Sequence, residues 1–148
     1  MKTSRGENMK KISSRFSIAV HILTLISIFD KSCTSEFIAS SVNTNAVLIR
    51  RIIGYLKKAE LVTVHAGTGG TYLLKDISEI TLLHVYNAVE VTEDNKLFNF
   101  HNSNEKCKIG YNIECVLGKT LKDAQIALEN ELNKVTIKDI VDEINAIP

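Results

Sequence analysis

Two groups of residues in this chain have types and spacings that could do chemistry. The first lies in the stretch from residue 43 to 56. Ile49, Ile52, Ile53 and Leu56 recur at i, i+3, i+4 and i+7, the spacing of a helix that buries one stripe. Asn45, Val47, Leu48, Arg50, Arg51 and Tyr55 then fall on the outward side. An arginine fork can donate to guanine O6 and N7 together, an asparagine amide can pair with adenine, and an apolar side chain can meet a thymine methyl. Asn43, Thr44 and Asn45 bring side-chain and backbone donors to the N-terminus of the same helix, a place suited to phosphate. The second group is three thiols. Cys33 precedes a helix start, where the positive end of the helix dipole lowers a thiol pKa; a small buried apolar residue is the equal alternative. Cys107 lies in a polar loop and Cys115 at the start of a long helix, where a core position is expected. Cys33 and Cys107 are therefore the redox candidates, and a disulfide between Cys33 of one protomer and Cys107 of another is one form a switch could take. As metal donors, Cys107, Cys115 and His101 make a weak set, because two cysteines with seven residues between them fall short of the thiolates an iron–sulfur cluster takes. No metal is expected, and an iron–sulfur cluster is the alternative to a cofactor-free protein. The chain contains no HExxH, phosphate loop, dinucleotide glycine motif or nucleophile elbow. It has no CxxC either, so a thiol-redox enzyme is a poor fit.

The elements that must position these groups follow from periodicity and caps. Ser14–Phe29 carries two apolar stripes, Phe16, Val20, Leu23 with Ser27 and Ile18, Ile22, Leu25 with Phe29, so this helix is buried by more than one neighbour. Thr34 or Ser35 can cap a short helix through Ser41 with Phe37, Ile38 and Val42 inward. Residues 43–45 form a turn whose side chains can cap the next helix, which runs to about Ala59. Leu61–His65, a glycine-rich turn at 66–70 and Thr71–Leu74 read as a hairpin. A helix near Thr81 turns Leu82, Val85, Tyr86 and Val89 inward. Residues 93–112 are polar and read as a loop. From Ile113 to Asn133 a narrow seam of Leu117, Leu121, Ala124, Leu128 and Leu132 marks a long amphipathic helix, and Thr136 caps a last short one. The order helix, short helix, turn, helix, two-stranded ribbon predicts a mostly α chain with a small β-hairpin: a winged helix-turn-helix followed by a long C-terminal dimerisation helix. The predicted divisions are a disordered extension at 1–9, a winged helix-turn-helix at 10–92, a sensor-type loop at 93–112 and dimerisation helices at 113–148.

Charge agrees with that order. The 148 residues carry a net charge of +1. Residues 1–75 hold 11 basic and 4 acidic side chains, whereas residues 76–148 hold 7 and 13. A basic front and an acidic back suit a polyanion-binding module followed by an arm that avoids the polyanion, and weigh against a winged helix that serves as a protein-interaction module. Three scattered cysteines suit a reducing, cytoplasmic setting. The apolar run from Phe16 to Phe29 is interrupted by His21, Thr24 and Ser27. It falls short of the ~20 residues of a membrane span, so no membrane is expected.

Residues 10–91 resemble the Rrf2 family of winged-helix transcription regulators, in its branch without a cluster. The resemblance is carried by SSRFSIAVHIL, IASSVNTNAVLIRRIIGYLKKAELV, AGTGGTYLLKD and ITLLHVYNAVE, and downstream by ECVLGKTLKDAQIALENELNKVTIKDI. It implies a homodimer on a pseudo-palindromic double-stranded DNA operator, usually acting as a repressor, and in some members a response to thiol oxidation; an iron–sulfur or metal-sensing regulator of the same fold is the alternative. It also implies contacts from Ser14 and Arg15 at the first helix and from His65, Thr68 and Gly69 at the wing. Two departures stand out. The family's wing begins with an arginine for the minor groove, where this chain has Ala66 with His65 beside it. The glycine usual after the recognition helix is Glu60 here; a left-handed conformation at that residue costs ~1 kcal/mol.

Overall fold

In the computed structural model of this chain, the described residues are 14–29, 33–67, 69–90 and 98–148. The extension predicted at 1–9 lies outside them. Six helices and one ribbon follow in order: α1 Ser14–Ile28, α2 Ser35–Val42, α3 Ala46–Lys58, β1 Val62–Val64, β2 Thr71–Leu73, α4 Leu82–Val89, α5 Lys108–Asn133 and α6 Ile137–Asn145. The strands are antiparallel, with Val62 opposite Leu73, Thr63 opposite Tyr72 and Val64 opposite Thr71. Cys33 adds one bridge to Thr71, whose N–H donates to the Cys33 carbonyl at 3.1 Å. The α1–α2 connection is thereby tied to the wing.

The core gathers one stripe from each element. Ile22 and Leu23 of α1, Ile38 of α2, Ile49, Ile52 and Leu56 of α3, Val62 of β1 and Val85 and Val89 of α4 are all shut off from solvent. Phe37 is the exception to the expected inward set: it is exposed and packs edge-to-face on Phe29, ring centres 5.4 Å apart. A helix of eight residues has only about two turns, so Ile38 and Ala39 fill the inward positions and Phe37 is turned aside.

Side chains close the helix ends. Thr34 Oγ1 accepts from the Phe37 N–H, and Thr81 and Thr136 each form a reciprocal capping box, with His84 and Asp139 as partners. Those last two caps face each other. Thr81 and Thr136 form an isolated antiparallel bridge, and the Leu82 N–H donates to Val135 O at 2.8 Å. Ile137 N–H donates to Ile80 O at 2.9 Å, and the Ile137 side chain is buried. The segment predicted at 113–148 therefore divides. α5 contributes no buried residue, while α6 docks on the winged-helix core through Ile137 and Val141.

α3 ends in a left-handed residue. Glu60 has φ 61°, its N–H donates to Lys57 O, and the Leu61 N–H donates to Leu56 O. This 6→1 and 5→2 pair is the Schellman motif, and buried Leu56 and Leu61 lie at its two ends. A β-carbon at that φ is strained. Glu60→Gly is expected to raise the stability by up to ~1 kcal/mol, the strain relieved less the backbone entropy glycine adds. Urea denaturation of the two proteins checks this; a lower midpoint for the glycine variant would refute the strain.

Candidate nucleic-acid interface and thiol site

α3 divides cleanly between core and solvent. Its stripe of Ile49, Ile52, Ile53 and Leu56 is buried, and Val47, Arg50, Arg51 and Gly54 stand exposed along the opposite strip. Two of the residues predicted on that strip are turned inward. Leu48 and Tyr55 are half-buried against the core; seven residues apart, they fall together on one flank of the stripe at 100° per residue. Val47 is 65% exposed and keeps its predicted place.

The three-residue turn caps the next helix as expected, and this occupies part of its hydrogen-bonding capacity. Asn43 is left-handed at φ 63°, and its N–H and that of Thr44 both donate to Ala39 O, closing α2. Asn45 Oδ1 caps α3 by accepting the Leu48 N–H at 2.9 Å. These N–H groups and that oxygen serve the fold. The Asn45 amide donor and the first amides of α3, those of Ala46 and Val47, are what the turn offers to a phosphate.

Arginines around the strip are held by carboxylates. Arg50 Nη2 donates to Glu36 Oε1 of α2 at 2.6 Å. Arg15, one residue after exposed Ser14, has its Nη2 3.7 Å from Glu90 Oε2 and its guanidinium 6.0 Å from the centre of the Tyr55 ring. The other carboxylate oxygen of Glu90 is buried and makes no hydrogen bond. At the wing, Gly67 and Gly69 take φ 91° and 68°, which explains glycine at both. Exposed His65 lies against Tyr72, ring centres 4.3 Å apart. Thr68, between the two glycines, lies outside the described residues.

Of the two readings open for Cys33 the structure has the buried one, and it overturns the core reading of Cys115. Cys33 is 2% exposed, and burial pushes its thiol up, opposite to the effect expected from the helix dipole. A disulfide from Cys33 to another protomer would require it to leave the core. Cys115 is exposed, not part of the core. Cys107 is the N-cap of α5, which starts at Lys108, five residues before the predicted start. Its sulfur closes no capping hydrogen bond, yet the N–H groups of Gly110 and Ile109 face it and hold the thiol below its ordinary range.

The polar stretch ahead of Cys107 is folded onto α5. Ser103 Oγ donates to Gly110 O at 2.6 Å, and the Cys107 N–H donates to Asn104 O at 3.2 Å. A β-carbon at Gly110 would stand 2.2 Å from the Asn104 carbonyl oxygen, so only glycine admits this contact. Phe100 lies against Gly118 two turns further on.

A winged helix with an exposed recognition strip and a long trailing helix defines a DNA-binding transcription regulator, and the comparisons agree. Residues 12–143 match the family model Rrf2, described as an iron-dependent transcriptional regulator. The chain is 46% identical over 134 residues to the Bacillus subtilis (strain 168) protein named "Putative HTH-type transcriptional regulator YwnA", covering 90% of this chain and 98% of that one. A solved structure described as "a putative DNA binding protein" is 42% identical, with a TM-score of 0.72 over 86% of this chain and 98% of its own. The same fold, at 18% identity and TM-score 0.64, occurs in CymR, the global cysteine regulator of B. subtilis, over 90% of this chain and 98% of that one. The chain belongs to the Rrf2 family of transcriptional regulators, which are non-enzymatic DNA-binding proteins.

The family description implies iron, and the donors do not fit an iron centre. Cys107 and Cys115 are eight residues apart on one helix, about 12 Å along its axis. Cys33 is buried beside the wing, and His101 is exposed ahead of α5. Among the described residues no three His, Cys, Asp or Glu side chains converge. Nor, among those residues, is any helix long and apolar enough to cross a membrane.

Gly54 is the residue that sequence reasoning missed. It sits mid-helix on the exposed strip, and a β-carbon there would meet nothing within 4 Å. The fold gives no reason for a residue that costs ~0.5–1 kcal/mol relative to alanine inside a helix. Gly54→Ala is expected to stabilise the protein by about that amount in urea denaturation and to weaken DNA binding, if the missing side chain admits the duplex. Equal DNA affinity would remove Gly54 from the contact. For the thiols, iodoacetamide should label Cys107 of the native protein well ahead of Cys33. Its rate should rise with pH and level off below the range of an ordinary thiol, because a lowered pKa supplies thiolate earlier. Equal labelling of Cys33 before unfolding, followed by mass spectrometry, would contradict the burial.

Proposed function

We propose that this chain is a cytoplasmic homodimer that binds a pseudo-palindromic double-stranded DNA operator sequence-specifically, acts as a repressor by occupying it, and carries no metal cofactor. The observation that carries the reading is the division of α3: a sealed apolar stripe on one side and Val47, Arg50, Arg51 and Gly54 on the other. Arg51, exposed on that strip, is the direct base reader. Asn45, through its amide, and the first amides of α3 approach phosphate. His65 and Gly69 of the wing, with Thr68 between the glycines, approach the neighbouring minor groove. Arg15 and Ser14 contribute sequence-independent contact, and Asn43 and Thr44 act by shaping the turn.

The dimer is supported by α5. Twenty-six residues with none buried leave Ile109, Tyr111, Val116, Leu117 and Ile126 exposed, and a helix of this kind draws its stability from packing. Elsewhere, α1 and α6 frame an open apolar groove of about 360 Å³ lined by Val20, Leu25, Ile28, Ile140 and Ile144. A response to oxidation, in this reading, enters at Cys107, whose exposure and activated thiol suit it to that task.

The test is a titration of the full-length protein against its own promoter DNA at 50–200 mM salt. Binding of two protomers per duplex is expected, with log K falling by ~0.9 per phosphate contact for each unit of log salt. Arg51→Ala should lose ~1–3 kcal/mol of discrimination between promoter and scrambled sequence. A flat salt response with no preference for the promoter would sink the reading.

A further inference from the structure

We infer that Glu36 is a specificity-determining residue, acting by holding Arg50; the inference rests on the DNA-reading role of α3 proposed above. Glu36 is the second residue of α2, two residues after the Thr34 cap. Its Oε1 accepts the Arg50 Nη2 hydrogen bond at 2.6 Å across the α2–α3 angle. Arg50 belongs to the same exposed strip as Val47, Arg51 and Gly54. A carboxylate is thus fixed against a side chain on the face that approaches a polyanion.

Folding alone accounts for little of this. Both side chains are more than half exposed, at 56% and 68%, and exposed ion pairs contribute little to stability. The first turn of α2 favours an acidic residue through the helix dipole, but that preference does not require an arginine of α3 opposite it. The pairing has a consequence for DNA. An unrestrained arginine is long enough to swing to whichever phosphate is nearest, a contact that every sequence offers. Held by Glu36, the guanidinium keeps one orientation. Reaching a phosphate then breaks a charge-assisted hydrogen bond, while a guanine edge presents two acceptors to the remaining donors of the fork. Glu36 therefore lowers sequence-independent affinity more than it lowers affinity for the operator.

The experiment uses full-length protein with Glu36→Gln, Arg50→Gln and the double variant. Each is titrated by fluorescence anisotropy against the promoter duplex and a scrambled duplex at several salt concentrations, with thermal melts recorded alongside. Glu36→Gln should raise affinity for the scrambled duplex roughly two- to fivefold, the span an exposed ion pair commands. Its salt slope there should steepen by ~0.9, one further phosphate contact. In the Arg50→Gln background the same change should have no effect. If the gain persists without Arg50, Glu36 acts by its own charge and the positioning role is overturned. If the promoter-to-scrambled ratio is unchanged in Glu36→Gln while Arg50→Gln loses promoter affinity, the proposal fails and the reading of α3 stands. If Arg50→Gln keeps full affinity for both duplexes, Arg50 is outside the interface and the proposal fails with that part of the reading.

Discussion

The rest of the structure depends on one constraint: α3 has to be half inside. Ile49, Ile52, Ile53 and Leu56 are locked against α1 and α2, and their side chains leave no freedom of rotation about the helix axis. That lock decides which side chains are presented outward, and it does so at single-residue resolution. Leu48 and Arg50 flank buried Ile49 in sequence, yet the first is drawn toward the core and the second reaches Glu36. Burying four such side chains contributes on the order of 6–12 kcal/mol before entropy is subtracted, so no contact on the outer strip is strong enough to turn the helix. Groups outside adapt to the stripe, including the left-handed Glu60 that ends the helix where Leu61 must re-enter the core.

A second constraint joins the ends of the chain. The bridge between Thr81 and Thr136 places two helix N-termini side by side, and the backbone bonds from Leu82 to Val135 and from Ile137 to Ile80 staple them. α6 is consequently a part of the winged-helix core. α5 lies between two anchored points, α4 before it and α6 after it; its Leu121, Leu128 and Leu132 are half-buried and none of its residues is fully buried. Whatever covers that face acts on a helix whose far end is built into the DNA-reading domain, so docking on α5 and the placement of α3 are mechanically connected through Ile137, Ile80 and Val85.

Much of this was legible in the sequence, and the remainder was hidden for definite reasons. The α3 stripe, the hairpin and the caps at Thr34 and Thr136 are local signals: a period of 3.6, a run of β-branched residues, a hydroxyl at a helix start. The left-handed Glu60 was legible as a departure from the family pattern. The errors share a cause, which is that neighbours in space were not known. Cys33 looks like a dipole-activated thiol until the bridge to Thr71 buries it. Cys115 looks like core until α5 proves to have no buried face in one chain. Gly110 is silent in the sequence because its reason, the Asn104 carbonyl, depends on how the loop folds back. Asn45 takes the capping role that its place before α3 offers, and its Oδ1 is occupied by the Leu48 N–H.

The electrostatics of the interface also look different once partners are known. The front half of the chain owes its basic character to 11 cations. Five of these, Lys2, Arg5, Lys10, Lys11 and Lys31, lie outside the described residues. Of the arginines on the helices that form the reading head, Arg15 and Arg50 each face a carboxylate, and Arg51 makes no ion pair among the described residues. Paired cations release fewer counterions when DNA arrives, because part of their charge is already compensated. The general attraction for any duplex is reduced accordingly, whereas the bidentate geometry that distinguishes guanine is untouched by the loss of net charge. In the DNA-reading role proposed for α3, discrimination would be gained in this way: binding is weaker everywhere, and the difference between the right site and the wrong ones is carried by orientation.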